Sequence, residues 1–591
     1  MDRKPASAKS FIRCPECLRK LPNHTAQCPI NEQGRKMHWN LPNELNRRDP
    51  HEFTKTGNRT LTRGLDEGVP RRDFLKKLAL SGALLGVGGA GYFLGEGHAI
   101  PAPSIGSTVE PGSMRDTASY LVYIDGSTIL SRNGATGQNQ YSGSAAEVVI
   151  QASLDALTPG GGAVYVASGL YLLNKYLLVK PPGGVNQIVP SIFGEWSGGG
   201  NEVVTDPNGP VVFQPTSSFP NGEYHLAYLP SSTSLVQNKG AIILGLNFVG
   251  SDAGATKRAA GINLVNARQF RVSNNAIQNT ITPSPTNTTV GENATAAFNV
   301  AEPFSAGGFC LFDNNTVSGP GQDGFFCQNL ESTFVACRVI KHLRYGFNIS
   351  PGNLALLGCM VDSGGNTGQN SPQIIVNQSN GDDTRIIGLN SFAGNTGGGP
   401  TIEVGNGTPN TGHPVFTNCH FWGPQTAGLG DIGAIVKLDG ASAAEVDFMG
   451  CDFTAVNAAT SYFVRALSGW TGKCLISGGR FNQTPVTAKI SNAGTGVIKC
   501  RDVGNFNPLG FLANTTFGTS PWTYTNNDFV TQDVYIDPLT GTISAITKGG
   551  QSILPPTLTN AKATYITTLE PGEAIIITWA TAAGTLRTFG K

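Results

Sequence analysis

The chain has 591 residues, of which 76 are glycine, and only 14% carry a charge. No Gly-X-Y period is present, which excludes collagen, and glycine plus proline stay below the roughly 25–30% typical of low-complexity disorder. Residues 1–77 hold 17 basic and 9 acidic residues, whereas residues 78–591 hold 24 and 31. The long second part is net acidic, which argues against a nucleic-acid partner. The composition favours a turn-rich β protein.

The basic leader, residues 1–70, contains a Cys-x-x-Cys pair, Cys14 and Cys17, followed by Cys28 and His38. Three cysteines and a histidine can complete a tetrahedral zinc site, so zinc is the cofactor predicted here. Cys28 has no Cys-x-x-Cys partner of its own, and an unstructured leader with incidental cysteines is the alternative. No residue pattern supports calcium elsewhere in the chain.

A short basic segment, Pro70-Arg71-Arg72-Asp73-Phe74-Leu75-Lys76-Lys77, precedes an apolar run of 17 residues from 78 to 94. It resembles the twin-arginine export signal, which implies the twin-arginine translocase as a partner. The positive flank predicts a cytoplasmic N-terminus and an extracellular or cell-envelope body. Segment 71–98 is then either a signal cleaved near Ala99 or a membrane anchor through residues 74–94.

A linker, residues 99–119, leads into a strand and then a predicted helix at 144–157. Ser144 and Glu147 form a capping box, and Val148 and Val149 begin an apolar helical period. The helix ends at a Pro-Gly-Gly-Gly turn that is followed by short strands at 163–166 and 171–173. This order predicts a helix packed at the start of a β structure.

The stretch 141–196 resembles the beginning of the pectate-lyase-like right-handed β-helices, in the rhamnogalacturonase and epimerase-like branch. The resemblance implies an all-β fold for residues 120–519: a right-handed parallel β-helix whose open end is covered by the N-terminal capping helix. The branch has a Gly-Asp-Gly and an Asp-Asp-Thr pattern before this helix, whereas this chain has Tyr141 to Ala146 without a carboxylate. The resemblance therefore supports the fold more than an activity.

A five-residue motif recurs through the body, and its shortest spacing, 22 residues, corresponds to one bare coil. Its third position predicts one inward column along the stack, in which asparagine amides pair and cysteine packs as a small hydrophobe. Disulfides between coils are the alternative, but twin-arginine substrates fold in a reducing compartment, which favours free thiols. The column comprises Asn275, Asn315, Cys337, Cys359, Asn390, Cys419, Cys451 and Gly479.

A second repeated strand alternates apolar and other residues, as in Gly261-Ile262-Asn263-Leu264. Alternation points Ile262 and Leu264 inward and predicts an exposed outward face. In the family that the chain resembles, this face holds the saccharide groove. The outward positions are Asn263, Phe326, Asn348, Ile375, Glu403 and Lys437. The tail, 520–591, has no coil motif, and its short strands predict a small C-terminal β-sandwich.

Asp323 and Arg344 precede equivalent strands one coil apart, so we expect them to be neighbours beside this face. A carboxylate next to arginine and histidine can act in acid/base catalysis or bind uronate. A turn residue at Asp323 and a surface residue at His342 are the alternatives. The candidate catalytic residues are Asp323, Arg344, Glu403 and Asp362, and the candidate substrate-binding residues are Asn263, Asn348, His342, Lys341 and Lys437.

These observations leave two classes of function open. The first is an exported cell-surface enzyme, a polysaccharide lyase or glycoside hydrolase. The second is a non-catalytic glycan-binding adhesin or envelope structural protein. Both have a polysaccharide or glycoconjugate as partner. A cluster of at least two carboxylates within about 10 Å of each other on the exposed face would favour the enzyme.

Overall fold

In the computed structural model the chain forms two compact units, Met1–Thr108 and Val109–Lys591. The described residues are 27–28, 37–38, 118–158, 160–180, 187–195, 211–230, 238–284, 296–301, 309–328, 331–350, 352–362, 364, 371–377, 383–392, 398–405, 412–424, 433–439, 443–456, 460–483, 485, 487–506, 510–538, 542–553, 564–581 and 584–590.

In the first unit, strands Gln27–Cys28 and Met37–His38 pair antiparallel, with Gln27 opposite His38. The predictions for Cys14, Cys17 and the export segment 71–98 lie outside the described residues. None of the helices described is long and apolar enough to cross a membrane.

Three long sheets form the β-helical part of the second unit, and each coil contributes a strand to each sheet in turn. The first sheet begins with antiparallel strands Tyr120–Asp125, Thr128–Asn133 and Asn139–Gly143 and is otherwise parallel. Its other strands are Ala163–Val166, Ser191–Gly194, Ile242–Leu244, Arg271–Ser273, Cys310–Asp313, Ser332–Val335, Leu354–Leu357, Arg385–Ile387, Val415–Thr417, Glu445–Met449, Lys473–Ser477 and Val497–Arg501.

The second and third sheets are parallel throughout. The second sheet comprises Gly169–Leu173, Val211–Pro215, Leu246–Val249, Ala276–Gln278, Thr316–Ser318, Arg338–Ile340, Met360–Asp362, Asn390–Phe392, His420–Trp422, Asp452–Thr454 and Arg480–Asn482. The third sheet comprises Leu177–Val179, Leu226–Tyr228, Ile262–Val265, Ala296–Ala301, Asp323–Gln328, Phe347–Ile349, Ile374–Val376, Ile402–Val404, Ala434–Leu438, Tyr462–Ala466 and Ile490–Asn492. A minor parallel sheet joins Gln187–Ile188, Asn238–Lys239 and Ala267–Arg268. The predicted parallel β-helix is confirmed.

The coils stack around one apolar core because alternate residues of every strand point inward. Stacked rings continue from coil to coil: the Phe298, Phe325 and Phe347 centroids follow one another at 4.8 and 5.1 Å. Each coil therefore buries its apolar face only against its neighbours.

The inward column is present at the corner between the first and second sheets. Asn275 Nδ2 donates to Asn315 Oδ1 at 3.0 Å, and the cysteines at 337, 359, 419 and 451 are buried free thiols. One prediction was wrong, because Leu389 and not Asn390 occupies the column. Gly388 takes the left-handed corner with φ +65°, so the following residue is the one that points inward.

The capping helix spans Ala146–Ala156 and packs Val149, Ile150 and Leu154 into the core. The predicted capping box is wrong: Ala145 is the N-cap and makes no side-chain cap hydrogen bond. Glu147 instead accepts a hydrogen bond from Asn174 Nδ2 at 3.1 Å. Val148, predicted in the apolar period, is 61% exposed.

Two antiparallel sheets follow the last coil and share a small apolar core. One contains Gly510–Thr516, Gln532–Asp537, Tyr565–Leu569 and Thr585–Gly590, and the other contains Trp522–Thr525, Thr542–Lys548, Gln551–Ser552 and Ala574–Thr581. Their buried residues include Val534, Ile546, Ile577 and Leu586. This arrangement agrees with the predicted C-terminal β-sandwich.

Candidate functional site

The outward residues of the third sheet form one continuous column, as the alternation predicted. Strand register joins successive members from coil to coil across the middle of the sheet. In order along the stack they are Asn263, Asn299, Phe326, Asn348, Ile375, Glu403, Lys437 and Arg465.

The predicted exposure of this column is wrong. Asn263 is 1% exposed and Glu403 is 5% exposed, while Phe326 and Ile375 are buried as well. Asn299 Nδ2 donates to Asn263 Oδ1 at 2.8 Å, so this polar pair is satisfied inside the protein. Alternation fixed the direction of these side chains, but the packing around the column buries them.

Asp323 and Arg344 form a bidentate ion pair between adjacent coils. Arg344 Nε and Nη2 donate to the two carboxylate oxygens of Asp323, each at 2.7 Å, and Asn348 Nδ2 donates to Oδ2 at 3.0 Å. Asp323 is fully buried, whereas the Arg344 side chain is 31% exposed. The geometry therefore fixes Arg344 in place and leaves part of its side chain open to solvent.

Tyr345 connects this pair to the next charged group. The Arg344 guanidinium lies 4.7 Å from the centre of the Tyr345 ring. Burial raises the pKa of the Tyr345 hydroxyl; Arg344 opposes the rise, and the carboxylates of Asp323 and Glu403 add to it. The phenol thus lies within electrostatic range of both carboxylates.

Glu403 belongs to a second cluster, formed around Lys437. Lys437 Nζ lies 3.0 Å from Glu403 Oε1 and 3.5 Å from Asp439 Oδ2, which puts these two oxygens at most 6.5 Å apart. Burial raises the pKa of Glu403 above its ordinary value, and the ammonium of Lys437 opposes that rise. This pair meets the distance part of the two-carboxylate condition, but Glu403 is buried and does not lie on an exposed face.

Three further candidates lie away from this cluster. Asp362 ends a strand of the second sheet, where its Oδ2 atom lies 3.9 Å from Arg338 Nη2. Lys341 is an exposed corner residue with φ +55°. His342 is 1% exposed, so the surface alternative is wrong, and burial lowers its pKa to about 4. A Cβ on Gly364 would lie 1.6 Å from His342 Nε2, which shows how closely that backbone covers the ring.

Among the described residues, no cluster of three or more His, Cys, Asp or Glu side chains could hold a metal ion. Between Glu403 and Asp439 the ammonium of Lys437 occupies the position that a cation would take. The leader zinc site stays a prediction, with Cys28 and His38 in paired strands and Cys14 and Cys17 outside the described part of the chain.

Sequence reasoning missed Asp439 as a site residue and left Tyr345 without a role. Asp439 directly follows the strand that carries Lys437, so its position at a strand end was the available signal. Tyr345 follows Arg344, but its proximity to Glu403 spans more than one coil and has no local sequence signature.

No protein-family model matches the chain, and no curated protein matches it. Among solved structures, it is similar to the enzymatically active domain of tailspike protein 4 from bacteriophage CBA120, with 11% identity, 75% of this chain and 65% of that chain covered, and a TM-score of 0.31. The chain is also similar to the catalytic unit of a GH87 alpha-1,3-glucanase from Streptomyces thermodiastaticus. The identity is 12%, the match covers 59% of this chain and 65% of that chain, and the TM-score is 0.35. A third similar structure is the A-module of a mannuronan C-5 epimerase from Azotobacter vinelandii. The identity is 13%, the match covers 61% of this chain and 90% of that chain, and the TM-score is 0.36. The fold assignment rests on the strand pairing described above.

Proposed function

We propose that this β-helix acts on an acidic polysaccharide at the third sheet. The observation that carries the proposal is that one sheet holds both the fixed, partly exposed side chain of Arg344 and, on later coils, a carboxylate pair, Glu403 and Asp439. A guanidinium held by a buried carboxylate is suited to a uronate carboxylate, because little conformational entropy is lost on binding.

The carboxylate pair supplies the chemistry. A carboxyl group with a raised pKa keeps its proton at higher pH than an ordinary one, so Glu403 is suited to protonate a leaving glycosidic oxygen. Asp439 is then the base, activating water in a hydrolase or removing a sugar proton in a lyase. Asp323 positions Arg344, because both of its oxygens already accept hydrogen bonds.

A non-catalytic glycan-binding protein is the second candidate. The observation in its favour is that Glu403 is 5% exposed and bonded to Lys437, which limits its access to a substrate. In this case Arg344 and Lys437 bind the acidic glycan, and no bond is broken.

The test is incubation of the protein with a panel of acidic polysaccharides, with reducing-end and unsaturated-product readouts. Glu403→Gln should abolish product formation, because the amide cannot donate the acid proton. Glu445→Gln is the matched control, since Glu445 pairs with Lys473 on the first sheet, and it should retain full activity. Equal activity of the two variants would remove Glu403 from the mechanism, and binding without product would favour the second candidate.

We further propose export to the cell envelope or exterior through the twin-arginine translocase, with residues 74–94 as a membrane anchor if the signal is not cleaved. The support is the Arg71-Arg72 motif before an apolar run. Replacing both arginines by lysine should hold the body in the cytoplasm, whereas unchanged export would refute this route. Zinc binding by Cys14, Cys17, Cys28 and His38 is proposed on their ligand types alone, and metal analysis of the full-length protein tests it.

A further inference from the structure

The outward face of the second sheet carries an aromatic pair that the third-sheet site does not use. Phe392 and Trp422 end neighbouring parallel strands in which Asn390 lies opposite His420. Each aromatic residue lies two positions beyond this pair, on strands that are about 4.8 Å apart along the stack. Ser391 and Phe421, which precede them, are buried, so both aromatic side chains point outward.

Both rings are only partly buried by other residues of the protein. Phe392 is 43% exposed. Trp422 is half-buried, with its ring centroid 5.8 Å from that of His420. The exposed parts of the two rings are therefore the surface that a ligand can contact.

Polar side chains border the two rings along the neighbouring coils. Thr454 Oγ1 lies 3.1 Å from His420 Nε2 and accepts a hydrogen bond from Asn482 Nδ2 at 3.2 Å. We call the set Asn390, Phe392, His420, Trp422, Thr454 and Asn482 the aromatic platform.

The charges beside the aromatic platform cancel one another. Arg480 Nε lies 3.0 Å from Asp452 Oδ2, and Arg338 Nη2 lies 3.9 Å from Asp362 Oδ2. Each acidic group next to the rings thus has a basic partner.

We propose that the aromatic platform binds a neutral saccharide. A pyranose ring has an apolar face of C–H groups and a rim of hydroxyl groups, and it needs an aromatic surface bordered by donors and acceptors. A lipid or an apolar protein surface would leave the polar border of the platform without hydrogen-bond partners. An acidic glycan would have no unpaired cation to bind there. This site is separate from the third-sheet site and does not depend on its proposed function.

The test is isothermal titration of the full-length protein with neutral β-1,4-linked hexasaccharides of glucose, N-acetylglucosamine and mannose. At least one should bind, and Phe392→Ala should weaken that binding about tenfold, which corresponds to ~1.4 kcal/mol. Phe392→Tyr keeps the ring and should retain the affinity. Phe309→Ala is the matched control, because Phe309 is 45% exposed and lies outside the platform, at the start of a first-sheet coil.

Thermal melts of the variants distinguish a binding effect from misfolding, and Phe392→Ala should melt with the wild type because the side chain is exposed. The proposal is overturned if none of the three hexasaccharides binds, or if Phe392→Ala and Phe309→Ala bind equally well. A change in sedimentation of Phe392→Ala without a change in saccharide affinity would also overturn it, because the platform would then be a contact between protein chains.

Discussion

The carboxylate of Asp323 accepts two hydrogen bonds from Arg344 and one from Asn348. Hydrogen bonds to charged groups contribute about 1.5–3 kcal/mol each, more than neutral ones. The position of Arg344 therefore depends on a residue that cannot itself reach a substrate.

We expect Asp323→Asn to lower the free energy of unfolding by about 2 kcal/mol, because the charge-assisted bonds to Arg344 are lost. Denaturant unfolding measures the change. Asp383→Asn is the control: its partner Arg385 is an exposed arginine, and such surface pairs contribute about 0–1 kcal/mol. Equal effects of the two substitutions would contradict the special position of Asp323.

Two buried histidines make stability sensitive to acid. Burial lowers the pKa of both His225 and His342 from 6.5 to about 4. Between about pH 6.5 and pH 4 these histidines bind protons in the unfolded chain but not in the folded chain. Their contribution to the free energy of unfolding is therefore full above about pH 6.5 and decreases as the pH falls toward 4. Each histidine contributes about 3 kcal/mol to this loss.

Denaturant unfolding at pH 7 and pH 5 should show this decrease in stability, and His342→Gln should reduce it, since glutamine does not titrate. The control is His413→Gln, which removes a half-exposed histidine next to Asp447 on the first sheet. A pH dependence that His342→Gln leaves unchanged would contradict the burial of the neutral ring.

At the scale of the elements, the corner between the first and second sheets explains why the repeat motif could be recognised in the sequence. The corner residue adopts a left-handed conformation in successive coils, as at Asn314 (φ +49°), Ala336 (φ +51°) and Gly358 (φ +59°). Asparagine and glycine tolerate this conformation, and the next residue points inward. The sequence motif therefore reflects one backbone requirement followed by one packing requirement.

The same corner shows what could be predicted and what could not. The spacing of the motif predicted the coils, and the alternation predicted the side-chain directions. The register was assigned one residue too late only in the copy at 388–390, because Gly388 and not Leu389 adopts the left-handed conformation. Burial of Glu403 and His342 could not be predicted, because it depends on segments distant in sequence. The approach of Asp439 to Glu403 likewise depends on how one coil lies on the next.

Ala336 is the corner residue least suited to its conformation. Left-handed geometry costs an alanine about 1–2 kcal/mol, and glycine avoids this cost. Ala336→Gly should therefore raise the free energy of unfolding by about 1 kcal/mol, whereas Gly388→Ala should lower it by a similar amount. Chemical denaturation measures both, and stabilisation by Gly388→Ala would contradict the assigned register.

At the scale of the whole molecule, a loop between C-terminal strands packs into the β-helix core at the last coil, while the C-terminal sheets keep a core of their own. Val530, from the loop between two C-terminal strands, belongs to the main core, and the Phe506 and Phe529 ring centroids lie 6.5 Å apart. Lys499 on the last coil also forms an ion pair with Glu570. The C-terminal segment thus covers apolar surface that the last coil would otherwise expose.

Val530→Asp should destabilise the protein by several kcal/mol and promote aggregation, because it buries an unpaired carboxylate in that cover. Light scattering during thermal unfolding measures the effect. Val497→Asp provides the comparison, since Val497 is 40% exposed on the last coil, and it should behave nearly as the wild type. Similar behaviour of the two variants would argue against a cover at this end.

The central claim is that the third sheet recognises acidic saccharide through Arg344, and one comparison tests it most directly. Titration with hexagalacturonate and hexamannuronate should give binding of at least one ligand, weakened at least about tenfold by Arg344→Gln. Arg385→Gln removes another arginine paired with an aspartate, on the first sheet, and should leave the affinity unchanged. Binding that Arg344→Gln does not weaken, or weakens no more than Arg385→Gln, would contradict the account.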